Sequence, residues 1–378
     1  MAQEQDERLA VIEDNQIVVY IPSSDERIVI YQAESEADIV YSLTWSIDGQ
    51  NIFFLVKNDL WSPTQYRFFS AETDQWEVQE LTELTLPDSN IRLREKEEPE
   101  YRIRQVIFSQ DMSHIAYIAR ELSKTVSPPK SILFVIDVVE GTHTAVLSLP
   151  VYAGYELAWS SNGDYLAFIT TGQLEGNDYV STPTKNIFLY DGDSIQMIVQ
   201  TEENSPLEPT GLEFSPDGSK VAIGQFMERQ VDLMTSAIRY QYGNINYYNL
   251  ETGTLQWLGT RPDVASFTWA PDNRTILYSA PYIYFNLEQQ EEELRAIYAN
   301  VSIGFDGYLP LINYHDFVDR GIILNPYVAP RLSPRTGQLT FLARLDNATQ
   351  VFVSDLSGTE IHQITNATIS VTEFAWSP

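Results

Sequence analysis

The stretch Gly211-Leu-Glu-Phe-Ser-Pro-Asp-Gly-Ser-Lys-Val-Ala-Ile223 constrains this chain most. An apolar run ends in Phe214, the chain reverses through Ser215-Pro216-Asp217-Gly218, and a second apolar run begins. Proline presets φ, aspartate bonds its own following backbone, and glycine accepts positive φ. Apolar runs flanking Asp-Gly signal a hairpin. The unit recurs as Trp45-Ser-Ile-Asp-Gly49, Phe108-Ser-Gln-Asp-Met112, Trp159-Ser-Ser-Asn-Gly163, Trp269-Ala-Pro-Asp-Asn273 and Leu332-Ser-Pro-Arg-Thr-Gly337, and Trp376-Ser-Pro378 begins a seventh. The apolar anchors are 63, 51, 55, 55, 63 and 44 residues apart. An all-strand repeat of roughly 50 residues points to radially repeated blades, a β-propeller.

Three strands, 8–12, 16–21 and 27–31, precede the first hairpin and are rich in β-branched residues. They read as a blade without its inner strand, whereas 371–376 reads as an inner strand without its other three. The two ends therefore complete one blade. The expected fold is an all-β seven-bladed β-propeller of four-stranded antiparallel blades, its ring closed by the C-terminal inner strand and the three N-terminal strands. The shared blade takes 8–31 and 371–376. The others take 39–83, 101–149, 153–200, 210–259, 264–314 and 328–366, in one domain spanning 1–378.

Charge narrows the partners. Asp and Glu number 53 against 23 Lys and Arg, a net charge of −30, which disfavours nucleic acid and anionic membrane surfaces. No apolar run is long enough for a spanning helix. The chain has no cysteine, hence no disulfide or thiol chemistry. It carries no nucleophile elbow, zinc-protease or nucleotide-loop motif, so no cofactor is expected. Met1–Glu7 is acidic and not a secretory leader, so an exported protein would have its leader outside this chain. Asn273, Asn300, Asn347 and Asn366 match the glycosylation acceptor pattern.

Long insertions fall between second and third strands, at 120–130, 171–185, 225–243 and 281–293, and between blades at 84–100 and 314–330. In a four-stranded meander all of these emerge at one end, and per-repeat insertions on one face mark a binding face. Aromatics concentrate there: Tyr240, Tyr242, Tyr282, Tyr284, Phe285, Tyr314 and Phe317 are the candidate binding residues, with Phe226 and Tyr327 beside them. They either anchor a protein partner or pack the long loops onto one another.

Inner strands carry a second candidate set. The residue two before each anchor is apolar or proline: Leu43, Val106, Leu157, Leu212, Phe267, Pro330 and Phe374. Strand alternation puts the flanking small and polar residues on the other face. Charges among them are Glu156, Glu213, Glu373 and Arg331. Three readings stand: a channel lining that takes a cation or basic chain end, an internal ion-pair network around Arg331, or carboxylates for glycoside hydrolysis.

The repeat of apolar strand, Trp/Phe-Ser-Pro-Asp-Gly and apolar strand resembles that of TolB-type propellers. WD-repeat and prolyl oligopeptidase propellers are more distant. The resemblance covers the whole chain as a repeat, with departures at Gln110, Met112 and Arg335, and TolB's amino-terminal α/β domain is missing. Some TolB-like propellers are pectin-degrading lyases with a histidine-rich metal site. His114, His143, His315 and His362 fall on separate parts of separate blades, which argues against that site; no metal is expected. The expected function is a non-enzymatic scaffold for protein binding through the elaborated face. A glycan lyase or hydrolase and a subunit of an extracellular assembly are the rivals. The resemblance, the acidity and the lack of cysteine together point outside the cytoplasm, to a periplasmic or secreted protein.

Overall fold

The turns that the sequence singles out set the strands. A computed structural model describes residues 6–58, 65–81, 101–121, 130–138, 140–150, 156–175, 178–201, 207–227, 230–231, 238–239, 243–258, 264–286, 291–304, 307, 309–313, 320–325 and 327–378. Side chains of some strand residues, 281–286 and 291–297 among them, lie outside that description. In six hairpins the residue after the anchor donates its N–H to a carbonyl five residues on: Ser46 to Asn51, Ser109 to His114, Ser160 to Tyr165, Ser215 to Lys220, Ala270 to Thr275 and Ser333 to Gln338. The Oγ of Ser46, Ser109, Ser160 and Ser215 accepts the returning N–H. Gly49, Met112, Gly163, Gly218, Asn273 and Gly337 take positive φ, so the degenerate copies keep the geometry without glycine. Asn273 also accepts the N–H of Asp217 at 2.8 Å, and Ser161 Oγ donates to the Pro216 carbonyl at 2.8 Å, which ties neighbouring turns.

The chain is all-β, with seven antiparallel sheets that are the four-stranded blades of a seven-bladed β-propeller, the inner strand of one of them being in two pieces. No α-helix occurs among the described residues. By internal contact the chain divides into two compact units, 1–153 with 367–378, and 154–366.

In the first unit, β1 (Leu9–Glu13), β2 (Gln16–Ile21) and β3 (Glu26–Gln32) join β31 (Val371–Trp376) in the order β3-β2-β1-β31. Leu9 faces Trp376 and Ile12 faces Glu373, so the two ends share a blade as expected. The second blade is β4 (Asp38–Trp45), β5 (Asn51–Asn58), β6 (Gln65–Glu72) and β7 (Val78–Glu80). The third is β8 (Tyr101–Phe108), β9 (His114–Glu121), β10 (Lys130–Asp137) and β11 (Thr142–Pro150). Ala10, Ile12, Trp45, Phe54 and Phe69 fill one core between the first two blades, and Leu55, Phe68, Val106 and Tyr117 fill another between the second and third. Each fully buried large side chain contributes about 1.5–3 kcal/mol. Trp45 Nε1 donates to the Ala375 carbonyl at 3.0 Å, binding the second blade to the shared one.

In the second unit the fourth blade is β12 (Leu157–Trp159), β13 (Leu166–Glu175), β14 (Asp178–Tyr190) and β15 (Ile195–Val199). The fifth is β16 (Leu207–Phe214), β17 (Lys220–Met227), β20 (Gly243–Asn249) and β21 (Thr254–Trp257), with β18 (Gln230–Val231) and β19 (Ile238–Arg239) as a separate two-stranded piece. The sixth is β22 (Ser266–Trp269), β23 (Thr275–Asn286), β24 (Glu291–Ser302) and β25 (Leu309–Asn313). The seventh has β28 (Leu339–Leu345), β29 (Ala348–Ser354) and β30 (Ile361–Gln363).

Two expectations change. The seventh blade's inner strand is not a single piece from residue 328. β26 (Ile322–Leu324) pairs with β28 at Leu345 to Ala343, and β27 (Arg331–Leu332) pairs with it at Thr340 and Leu339. Pro330, just before β27, has no N–H for a ladder, which keeps the two pieces apart. The insertions 171–185 and 281–293 also are largely not loops. Glu175 faces Asp178, and Asn286 faces Glu291, so both are β-hairpin arms continuing the blade.

A clamp holds the shared blade. Asp14 accepts the N–H of Thr368 at 2.7 Å, of Ile369 at 2.8 Å and of Ser370 at 3.2 Å, and the Thr368 hydroxyl at 2.9 Å. Desolvation would raise its pKa, but these donors outweigh it and hold the carboxyl below 3.8. The folded pKa is depressed, so the contribution is present above pH 3.8 and is lost as pH falls through the folded value. Asp14→Asn is expected to lower the melting temperature at pH 7. The gap from wild type should close below the carboxylate range, as followed by circular dichroism.

Candidate functional site

The inner strands of the second unit gather polar groups at equivalent positions. Glu213 on β16, Thr268 on β22 and Arg331 on β27 each precede their blade's anchor. Thr268 Oγ1 donates to Glu213 Oε1 at 2.7 Å, and the Trp269 N–H reaches the same oxygen at 3.3 Å. Trp269 Nε1 donates to the Glu213 carbonyl at 3.1 Å, the same tie that Trp45 makes in the first unit. One register step away, Ser266 Oγ accepts the Ala329 N–H at 3.1 Å. Three consecutive inner strands are stitched in this way.

Two glycines permit the close approach. Gly211 and Gly224 face each other across β16 and β17, and the ring of Phe267 lies over both. A Cβ at Gly224 would sit 2.6 Å from Phe267 Cε1, and one at Gly211 would sit 3.0 Å from it.

The Glu213 residue is half-buried by surface area, but its carboxyl is enclosed. Desolvation raises its pKa above 4.5, while the Thr268 bond, the Arg331 charge and the Trp269 N–H pull it back. Two donors from β22 converge on Oε1 of this enclosed carboxyl, so it ties β16 to β22. Among the inner-strand charges, Glu213 has a carboxyl that feels the Arg331 charge directly in its titration. Glu156 is exposed as a residue, yet burial of its carboxyl raises its pKa, and the cation opposing that is Lys185 rather than Arg331. Lys185 sits on β14, where the sequence reading had a loop. Glu373 lies in the first unit, opposite Ile12.

Tyr240, Tyr242, Tyr314 and Phe317 lie outside the described residues. Tyr282, Tyr284 and Phe285 fall on β23, opposite Arg295, Glu293 and Glu292, with side chains outside the description, as is that of Phe226. Tyr327 is exposed. Among the described residues no group of three or more His, Asp or Glu is arranged to hold a metal.

No family model matches the chain, and a search of curated proteins finds no match. Solved structures do match. An oligogalacturonate lyase in complex with manganese has a TM-score of 0.60 at 12% identity, over 90% of this chain and 82% of its own. The β-propeller domain of the Trilobed protease from Pyrococcus furiosus has a TM-score of 0.53 at 11% identity, over 96% and 98%. That domain is described as an open velcro topology, whereas here β31 pairs with β1. TolB from Acinetobacter baumannii aligns at 13% identity over 96% and 79%, with a TM-score of 0.47. At these identities the likeness to the lyase and to the protease propeller establishes the β-propeller fold alone.

Two substitutions test this reading. Gly224→Ala is expected to cost about 1–3 kcal/mol in urea unfolding, the usual scale for overpacking, and Phe267→Leu in the same chain should recover part of it. Glu213 has a raised folded pKa, so its ionised form costs stability above that value, and the cost fades as pH falls toward 4.5. Glu213→Gln should therefore melt above wild type at pH 8, and the two curves should converge toward pH 4.5.

Proposed function

We propose that the protein is a non-enzymatic scaffold that binds a protein partner through the arms of blades four to six, outside the cytoplasm. One observation supports the reading. β23 and β24 run twelve residues each, paired from Thr275–Ser302 to Asn286–Glu291, well past the four residues of β22 that they accompany. β13 and β14 extend likewise, and β18 with β19 forms a further hairpin piece between β17 and β20. All three elaborations leave the same end of their sheets, while the opposite ends close in tight turns. Blade packing does not require them, so their retention fits binding. The β23–β24 arm sets Tyr282, Tyr284 and Phe285 against a strand that begins Glu291-Glu-Glu293, which suits a partner with apolar and basic side chains. The enclosed Glu213 serves strand cohesion in this reading, so no reaction is assigned to it.

Trimming one arm tests the proposal. Replacing residues 281–296 with Asn-Gly joins Ala280 to Ile297, which already face each other. The trimmed protein should keep its melting temperature within a few degrees. Affinity capture from the source organism's extract should return a partner with wild type and lose it with the trimmed form. Equal recovery by both proteins, or no partner with wild type, would overturn the reading.

A further inference from the structure

The outermost strand of each blade is an edge, with a row of backbone groups facing away from its only neighbour. Proteins guard such edges with charge, proline, bulges or very short strands. Six of the seven outer strands here are guarded. β3 carries Glu26 and Arg27, β7 carries Glu80, and β30 has three residues with His362 among them. β11 ends in Pro150 and pairs through a bulge, β25 contains Pro310 beside a bulge, and β15 pairs through a bulge. β21 is nearly as short as β30, at four residues, but it has no charged or titratable side chain, no proline and no bulge. Its Thr254-Leu-Gln-Trp257 pairs with β20 in unbroken register and is exposed throughout.

Its side chains divide by face. Gln256 bonds the Tyr247 hydroxyl, and Thr254 bonds Thr252. Leu255 and Trp257, two residues apart and so on the other face, are 45% and 64% exposed. The turn leading into Thr254 carries the exposed Glu251, and other turns at the same end of the blade-four, blade-five and blade-six sheets carry the exposed Asp191, Asp193, Asp217 and Asp272. In a chain of net charge −30, pairing two copies along this edge would bring like charges together.

We propose that β21 is a docking edge for an extended segment of a partner protein. That segment would add as a fifth strand, place apolar side chains at alternate positions against Leu255 and Trp257, and carry Lys or Arg at the end that meets Glu251. Main-chain hydrogen bonds give such strand addition its affinity, and alternate side chains give it specificity. The inference does not rest on the arms, so the trimmed protein described above should bind equally well here.

The test is selection from a phage-displayed library of twelve-residue peptides on the arm-trimmed and full-length proteins, with Trp257→Lys and Leu255→Lys as counter-targets. Both positions are solvent-facing, so these variants should fold; circular dichroism checks this. Enriched peptides should alternate apolar residues and cluster Lys or Arg at one end. A synthetic copy of the leading peptide should slow amide exchange at Thr254–Trp257 and bind Trp257→Lys at least tenfold more weakly than wild type. No enrichment that depends on Trp257 or Leu255 would overturn the proposal, as would acidic or non-alternating winners. Sedimentation showing a dimer with exchange protection at β21 would also overturn it, by giving the edge to a second copy.

Discussion

A sheet that is apolar on both faces has to be covered on both, and the rest of this structure follows from that constraint. β17 shows it within three residues. Val221 and Ile223 join a core with Ala167 and Ile187 of the fourth blade, while Ala222 between them joins another with Trp269 and Tyr278 of the sixth. Each blade of the second unit is thus incomplete without its neighbours, as in any stacked repeat. The shared blade of the first unit meets the same demand with segments from the two ends of the chain, and the Asp14 clamp holds them together. Close packing brings the inner strands near enough for indole-to-carbonyl bonds such as Trp269 to Glu213, and it requires glycine wherever a ring must pass, at 211 and 224.

Blade number and chain closure were legible because turn chemistry is local. Ser-Pro-Asp-Gly states its own φ requirement, so even Asn273 and Met112 could be placed by comparison with the glycines they replace. Asn273 has an added reason to be where it is, its bond to Asp217, which depends on a neighbouring blade and so left no trace in its own repeat. Ile322–Leu324 escaped notice for a related reason. Three apolar residues inside a connector signal nothing until β28 is there to pair with them. The arms read as loops in sequence because Gly172, Gly176, Asn177 and Pro183 in 171–185, and Pro281 and Asn286 in 281–293, are loop formers, yet the ladders run on through both stretches. Their pairing is non-local only in the sense that each strand continues an existing hairpin.

The inner-strand site was half legible. Strand alternation found Glu213, Thr268 and Arg331 on equivalent positions, and the structure brings Glu213 under the influence of the other two. The same counting could not find Lys185 as the cation near Glu156, because that residue is placed by the β13–β14 register rather than by distance from an anchor. The edge at β21 was readable in principle. Thr254-Leu-Gln-Trp257 is a short alternating run without charge. What made it informative was comparison with the six other outer strands, and their bulges are visible only in the ladders.

The two ends of each blade are under different physical control. At the hairpin end, carboxylates and hydroxyls are spent on the chain's own backbone: Asp217 on Ser219, Asp272 on Arg274 and Thr275, Asp355 on Thr359 and Glu360. Several of these turns also bond the next one along, as Ser161 does to Pro216. Such residues have no spare capacity for a ligand without loosening a turn. At the strand 2–3 end, the ladders of β13–β14 and β23–β24 continue beyond the inner strands they accompany. The outer strand β21 is outside the apolar cores, since Leu258 just after it is buried while Leu255 and Trp257 are not. The surfaces proposed for recognition, the arms and β21, are thus distinct from the turns whose side chains are committed to the backbone.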